Sequence, residues 1–322
     1  MTIDWLLWLL PAALLYLMYA WFSGAEWLCN GLLRLEQARS GLRLTRVRAG
    51  GSQFQLLTNT PLQQLQDGDD RRPVLMLLHG FGGDYTHWLR VSPHLGRHFR
   101  LVIPDLPGFG GTALPAGETG TMEEQAERLH ALIERLDITQ LYLGGNSMGA
   151  YLAAVYAHRY PDQIIALWLL NPGGVHGGLH TPLLEDAVLR GENRLIATDA
   201  RKMKTLSAAV FVREPWVPRP ITRRIIRSAA HSQPMWEQLF DDLANRSTPL
   251  EELAPQLPPT LLVWGDTDQV LHPDGAEVLR PLLQQSQIQI LPQTGHCPMI
   301  EHPARVATDW LQFVTSRQTA LT

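Results

Sequence analysis

A hydroxyl, an imidazole and a carboxylate occur in this sequence where they could work together as nucleophile, base and acid. Ser147 lies in Gly145-Asn146-Ser147-Met148-Gly149, a Gly-x-Ser-x-Gly pattern. The apolar run from Gln140 to Leu143 before it reads as a short buried strand. The run from Ala150 to His158 after it, with small residues on one face, reads as a helix. A serine at such a sharp strand-to-helix turn is a nucleophile elbow. Its flanking glycines let strand and helix approach closely, and the helix start favours developing negative charge. A serine hydroxyl needs a base to attack, and that base needs an acid to fix its tautomer and stabilise its cation.

The base is expected at His296, in Gln293-Thr294-Gly295-His296-Cys297-Pro298, a loop after the last apolar strand. The chain has 12 histidines, so position must single one out. His302, expected to open the final helix, is the alternative. The acid is expected at Asp268, in the loop Trp264-Gly265-Asp266-Thr267-Asp268-Gln269-Val270. Asp266 is the rival and is expected to cap the turn. Asp105 also follows a strand, but it precedes the serine, whereas acid and base follow an elbow serine in the chain. It is expected to hydrogen-bond loop backbone. Two main-chain N–H groups must hold the oxyanion. One is expected from Met148 and the other from Phe81, in the glycine-rich run His79-Gly80-Phe81-Gly82-Gly83.

These loops require a frame. Pro73–Leu78, Phe99–Pro104, Ile164–Leu170, Thr260–Trp264 and Ile288–Leu291 read as strands, several of them continuously apolar as in a sheet covered on both faces. A hairpin turning at Gly50-Gly51 precedes them. Thr121-x-x-Glu124 is a capping box opening a helix to about Leu136, and Ala304–Ser316 closes the chain as a helix. Strands alternating with helices predict an α/β fold with a mostly parallel sheet and helices on both faces. The alternation breaks over residues 178–256. Helices are expected there at Pro182–Arg190, Asn193–Thr205 and Arg219–Arg227, with Trp216, Trp236 and Phe240 nearby, forming a helical lid over the strands' carboxyl ends. Gln66-Asp67-Gly68-Asp69-Asp70 reads as a polar surface turn.

Composition sets bounds. Hydrophobic residues make up 45% of 322 residues, enough for a large core, and the net charge of −4 gives no case for nucleic acid. The two cysteines, Cys29 and Cys297, do not suggest a disulfide framework. No metal-ligand spacing, dinucleotide fingerprint or phosphate loop occurs, so no metal or organic cofactor is expected.

From Ile3 to Phe22 the chain is apolar apart from Asp4, and about 20 such residues span a bilayer core. Trp5 and Trp8 at one end, and Tyr19, Trp21 and Trp27 at the other, suit the two interfaces. A cleaved signal peptide ending near Ser23-Gly24-Ala25 is the main rival, but no Lys or Arg precedes the run, which exceeds the usual core of about 7–15 residues; a buried or surface helix of the globular domain is the third reading. The organisation expected is a single-pass membrane anchor over residues 1–23, a charged amphipathic linker and first strand over 24–50, and a catalytic domain over 51–322. Arg34, Arg39, Arg43, Arg46 and Arg48 follow the span and place that domain on the cytoplasmic side. Cys29 could be acylated there, although an unmodified thiol is the simpler reading.

His79-Gly-Phe-Gly-Gly, Asp105-Leu-Pro-Gly-Phe-Gly, Gly145-Asn-Ser-Met-Gly, Trp264-Gly-Asp-Thr-Asp-Gln-Val and Gly295-His-Cys-Pro resemble the α/β-hydrolase superfamily, in order over about residues 45–316. The serine argues against the dehalogenase and soluble epoxide hydrolase branches, which place aspartate there. With the N-terminal anchor, the pattern resembles membrane-anchored monoacylglycerol lipases and related bacterial lipases. That resemblance implies hydrolysis of acylglycerol or other lipid esters by Ser147, Asp268 and His296, with Phe81 and Met148 as oxyanion donors. One departure is Ala150, where many relatives carry a second glycine. The expected activity is a serine carboxylester hydrolase for medium-to-long acyl esters, with a lipid or other hydrophobic ester as substrate and the membrane as partner. A small-ester or carbon–carbon bond hydrolase with the same triad is the alternative, and a non-catalytic scaffold is a third class. Lid residues Arg201, Lys202, Lys204, Arg223, Arg224 and Arg227 could meet lipid headgroups or simply face solvent. Acyl length, headgroup and oligomeric state are not legible.

Overall fold

The computed structural model describes residues 4–66, 70–177 and 181–319. Eight strands form one sheet: β1 (Arg43–Ala49), β2 (Ser52–Thr58), β3 (Val74–Leu78), β4 (Arg100–Pro104), β5 (Leu141–Asn146), β6 (Ile164–Leu170), β7 (Thr260–Gly265) and β8 (Ser286–Leu291), ordered β1-β2-β4-β3-β5-β6-β7-β8. The first hairpin is antiparallel, as is its pairing to β4. The other neighbours run parallel. Helices are α1 (Asp4–Ser23), α2 (Glu26–Arg39), α3 (Leu62–Gln66), α4 (Ser92–Leu95), α5 (Met122–Arg135), α6 (Met148–Arg159), α7 (Pro182–Arg190), α8 (Ala200–Val210), α9 (Arg219–Asn245), α10 (Leu250–Leu253), α11 (Gly275–Leu279), α12 (Pro298–Glu301) and α13 (Pro303–Thr319).

Strands β3, β5, β6 and β7 are buried along nearly their whole length, because apolar clusters cover both faces of the sheet. One cluster joins α5 and α6 to the sheet. The other carries α13, whose Trp310 stacks on Trp168 with ring centroids 5.3 Å apart. After β3 the chain goes to β4 on one side and then to β5 on the other. Strand order therefore reverses at β3 and β5, and a crevice opens at their carboxyl ends. The loops that leave those ends begin at His79 and at Ser147.

Several elements differ from expectation in extent. The linker after Gly24 contains the helix α2, which begins with an acidic and ends with a basic residue. The helix expected at Asn193–Thr205 lies at Ala200–Val210, where Asp199 caps it by accepting from the Lys202 N–H. The helix expected to end at Arg227 runs on to Asn245, straight through Pro234, and so carries Trp236 and Phe240. A proline inside a helix removes one internal hydrogen bond. Here Trp236 and Phe240, both buried, offset that loss by packing. Trp216, grouped with them in sequence, is 75% exposed. Among the described residues no strand lies between β6 and β7, so this stretch is a helical insertion.

The N-terminal helices α1 and α2 rest against α9. Arg227 donates to the Ser23 and Gly24 carbonyls, Arg224 to Asn30 Oδ1, and the Arg219 guanidinium lies 4.9 Å from the Phe22 ring centroid. Two of the six basic residues considered for headgroups are thereby hydrogen-bonded to this helix pair. The Cys29 thiol is buried and donates to the Pro220 carbonyl, so it faces α9. Among the described residues no helix is long and apolar enough to cross a membrane. The anchor expected over residues 1–23 includes residues 1–3 and the side chains of 4–10, those of Trp5 and Trp8 among them, which lie outside the described residues. Part of the polar turn at 67–69, and Gly178 at the head of the insertion, also lie outside them.

Candidate active site

Ser147 stands between β5 and α6 with φ 57° and ψ −120°, a strained conformation for a residue with a side chain. Crowding at the turn imposes it. A Cβ on Gly149 would lie 2.5 Å from the His79 carbonyl oxygen and closer still to that of Leu78, and one on Gly145 would lie 2.5 Å from the Ala150 N. The two glycines of the pattern are thus required by contact. Ala150 is fully buried, so its methyl fills core space and the departure from the family pattern is accommodated.

Asp268 and His296 meet. The His296 Nδ1 lies 2.8 Å from Asp268 Oδ2, and both side chains are buried. A carboxylate only accepts, so Nδ1 carries the proton and Nε2 keeps its lone pair. Asp268 Oδ1 accepts from the Val270 and Leu271 N–H groups, while Oδ2 also takes the Asn171 amide at 2.7 Å. Asn146 Nδ2 donates to the His296 carbonyl at 2.9 Å and so ties the histidine loop to the elbow. Asp266 serves the turn instead, where its Oδ1 accepts from the Thr267 hydroxyl and the Thr294 N–H. His302 closes α12 and, as expected, opens the final helix: it directly precedes α13, whose Val306 N–H donates to its carbonyl at 3.1 Å, and its Nε2 is buried without a partner.

The glycine-rich loop after β3 passes over the serine. A Cβ on Gly80 would sit 3.2 Å from Ser147 Cβ. Met148 is the first residue of α6, where N–H groups have no partner within the helix. The Phe81 ring packs edge-on against Phe109, Trp236 and Phe240, with centroids 5.4, 6.1 and 5.7 Å away. The helical insertion thereby holds the loop that carries Phe81. Trp236 also donates to the Gly108 carbonyl.

His79 pins the base of this loop. Its Nε2 accepts from the Leu106 N–H at 2.9 Å, so its Nδ1 carries the proton and donates to the Gly80 carbonyl at 2.8 Å. Burial keeps it neutral, with a pKa lowered to about 4. Asp105 bonds loop backbone, accepting from Tyr85 N, Gly111 N and the Gln55 amide. Burial, followed by the charge of Asp84, raises its pKa to about 7. The two groups oppose each other. From about pH 4 to 6.5 an unfolded histidine binds a proton that folded His79 refuses, so His79 makes stability rise with pH. From about pH 3.9 to 7 folded Asp105 keeps a proton that the unfolded chain releases, so it makes stability fall as pH rises. The expected result is that the slope of Tm against pH, between about pH 4.5 and 6.5, becomes more negative in His79→Asn than in the wild type. Calorimetry across that range checks it, and parallel slopes would contradict it.

Sequence reasoning missed Asn146, Asn171 and Glu301. Asn146 occupies a position that the elbow pattern leaves open. Asn171 follows β6 with φ 45°, and its signal was only Asn-Pro after a strand. Glu301 lies six residues beyond Gly295, whose N–H it accepts at 2.8 Å. Among the described residues no group of acidic, histidine and cysteine side chains is arranged to hold a metal.

Residues 73–303 match the family described as alpha/beta hydrolase fold. The chain belongs to the alpha/beta-hydrolase family. Among its relatives, Lipase 3 of Moraxella sp. (strain TA144) is 31% identical over 244 residues, 74% of this chain and 76% of that protein. Monoacylglycerol lipase ABHD6 of Mus musculus is 28% identical over 257 residues, 76% of each chain. A crystal structure of a membrane phospholipase A, described as a bacterial virulence factor, superposes with a TM-score of 0.84 at 33% identity, over 97% of this chain and 98% of that one. This alpha/beta hydrolase is therefore an enzyme, a serine hydrolase of the lipase and esterase type.

Proposed function

We propose that the enzyme hydrolyses medium-to-long acyl esters of glycerol-based lipids through an acyl-enzyme on Ser147, with Asp268 and His296 completing a triad. The observation that carries this reading is the 2.8 Å contact between His296 Nδ1 and Asp268 Oδ2, in a loop that Asn146 ties to the elbow. Nε2 of His296 accepts the Ser147 proton as Oγ attacks the ester carbonyl. The Phe81 and Met148 N–H groups hold the oxyanion, and the imidazolium returns its proton to the leaving alcohol. Water then repeats the sequence and frees the fatty acid. Asp268 stays ionised and stabilises the imidazolium.

A lipid substrate is favoured by the surroundings. The helical insertion acts as a lid, packing Trp236 and Phe240 against Phe81 of the oxyanion loop and Trp236 against Phe109 of the loop after β4, so that the four rings form an apolar wall. On α1, Leu14–Tyr19 and Phe22 are 47% to 69% exposed. A run of apolar side chains this exposed marks a membrane or protein contact. With the preceding apolar residues it supports a single-pass anchor over residues 1–23, and Arg34, Arg39, Arg43, Arg46 and Arg48 after it favour the cytoplasmic side for the catalytic domain of residues 51–322. The lipase and monoacylglycerol lipase relatives and the phospholipase A neighbour make monoacylglycerols and glycerophospholipids the headgroup classes to compare.

The test uses full-length, detergent-solubilised enzyme on esters of two- to sixteen-carbon acids, then on monoacylglycerol and glycerophospholipid carrying the preferred acyl chain. A maximum at medium or long chains supports the reading. A maximum at the shortest chains overturns it in favour of a small-ester hydrolase.

A further inference from the structure

The helical insertion is fastened to the loop that carries His296, and one carboxylate does much of the fastening. The strap at the end of α8, residues Val210–Arg213, crosses directly over Gly295. A Cβ there would lie 3.2 Å from Phe211 Cα and still closer to the Val210 carbonyl oxygen. The His296 N–H donates to that carbonyl at 2.8 Å. Glu301, at the end of α12, bridges the same two segments. Its Oε1 accepts from the Gly295 N–H at 2.8 Å, and its Oε2 accepts from the Val212 and Arg213 N–H groups at 3.0 and 2.9 Å.

We propose that Glu301 is a positioning residue for His296 that makes alignment of the base and seating of the strap a single structural event. The carboxylate has an oxygen for each side, and a carboxylate oxygen is a stronger acceptor than a neutral one. If the strap lifts, Oε2 loses two donors, the His296 N–H loses its acceptor, and the backbone that orients the imidazole loses its cover. A base shifted by about an ångström takes the serine proton poorly, at a cost of about a hundredfold in rate. The insertion thereby gates chemistry, and the base is set only when the strap is down.

This inference rests on Ser147, Asp268 and His296 being the catalytic groups. Its test measures kcat and KM of full-length Glu301→Gln and Glu301→Ala on a soluble four-carbon p-nitrophenyl ester, beside amide hydrogen exchange. The expected result is a fall in kcat of about tenfold or more with KM changed less than about twofold. Gln, which keeps one acceptor, should retain more activity than Ala. Peptides covering 210–213 and 295–296 should exchange faster together, while those of β5, β6 and β7 stay as in the wild type. An unchanged kcat overturns the proposal, as does a fall in kcat with the strap still protected. A fall that accompanies faster exchange throughout the sheet also overturns it, since Glu301 would then be a general structural residue. A Ser147→Ala control separates the two levels. Hydrolysis surviving in it refutes the triad itself, whereas full dependence on Ser147 with unchanged Glu301 variants overturns this inference alone.

Discussion

Asp268→Asn is expected to lower kcat by about 10⁴-fold while leaving the fold intact, because every contact of this carboxylate is a donor. Val270 and Leu271 N–H point at Oδ1, and the Asn171 amide and His296 Nδ1 point at Oδ2. An asparagine has one accepting oxygen. With that oxygen towards the two backbone groups, its NH₂ faces the imidazole, which must then turn its Nδ1 lone pair inward and carry its proton on Nε2. A histidine in that tautomer cannot accept the serine proton. With the amide reversed, the NH₂ meets two backbone N–H groups and leaves them buried and unpaired, at about 1–3 kcal/mol. The first arrangement avoids that loss, and Asn171 can meet the new NH₂ by turning its unpartnered Oδ1 towards it, so this arrangement wins, at the expense of catalysis. Steady-state kinetics on a soluble ester, with melting curves to show retained folding, check this. A variant within tenfold of wild type would contradict the role given to Asp268.

The second large effect is on the elbow itself. Gly149→Ala places a methyl within 2.5 Å of the His79 carbonyl oxygen, at the end of the central strand β3, where neither strand nor helix can yield freely. Overpacking of this kind costs about 3 kcal/mol, a fall in Tm of roughly 6–12 °C for a domain of this size, and it displaces the serine together with the Met148 N–H. Ala150→Gly is the contrast. That site already holds a buried methyl without conflict, so the change should cost about 1 kcal/mol, the price of glycine in a helix, and keep activity. Thermal melts and kinetics on both variants check the pair. A Gly149→Ala protein as stable and active as wild type would contradict the steric account of the turn.

The parts of this molecule that sequence exposes are those where one local rule decides the outcome. Val74–Leu78 is apolar without interruption because both faces of the sheet are covered, and the glycines at 145 and 149 mark a contact that only hydrogen can fill. That His296 and Asp268 would meet could be expected because each follows a strand in a parallel sheet, where loops gather at one edge. What was illegible depends on contacts between distant segments. Asn171 matters because it reaches Asp268 across 97 residues, and Asn146 because it reaches the backbone of His296 across 150. The α9 helix passes Pro234 because Trp236 and Phe240 are anchored on the Phe81 loop, and helix-breaking rules see only the proline. The N-terminal pair is a further case. Its apolar run is plain in sequence, but its docking on α9 through Arg224, Arg227 and Cys29 depends on where the insertion lies.

The most direct test of the central claim is to label the nucleophile covalently, with a reagent whose phosphorus the serine attacks and whose fluoride leaves. Full-length protein and Ser147→Ala would each be treated with a long-chain fluorophosphonate and assayed on a medium-chain ester, with the adduct mapped by peptide mass spectrometry. The expected result is one adduct, on Ser147, matched by loss of hydrolysis in the treated enzyme and in the untreated mutant. Labelling at another residue, or hydrolysis that survives Ser147→Ala, would contradict the assignment of the nucleophile.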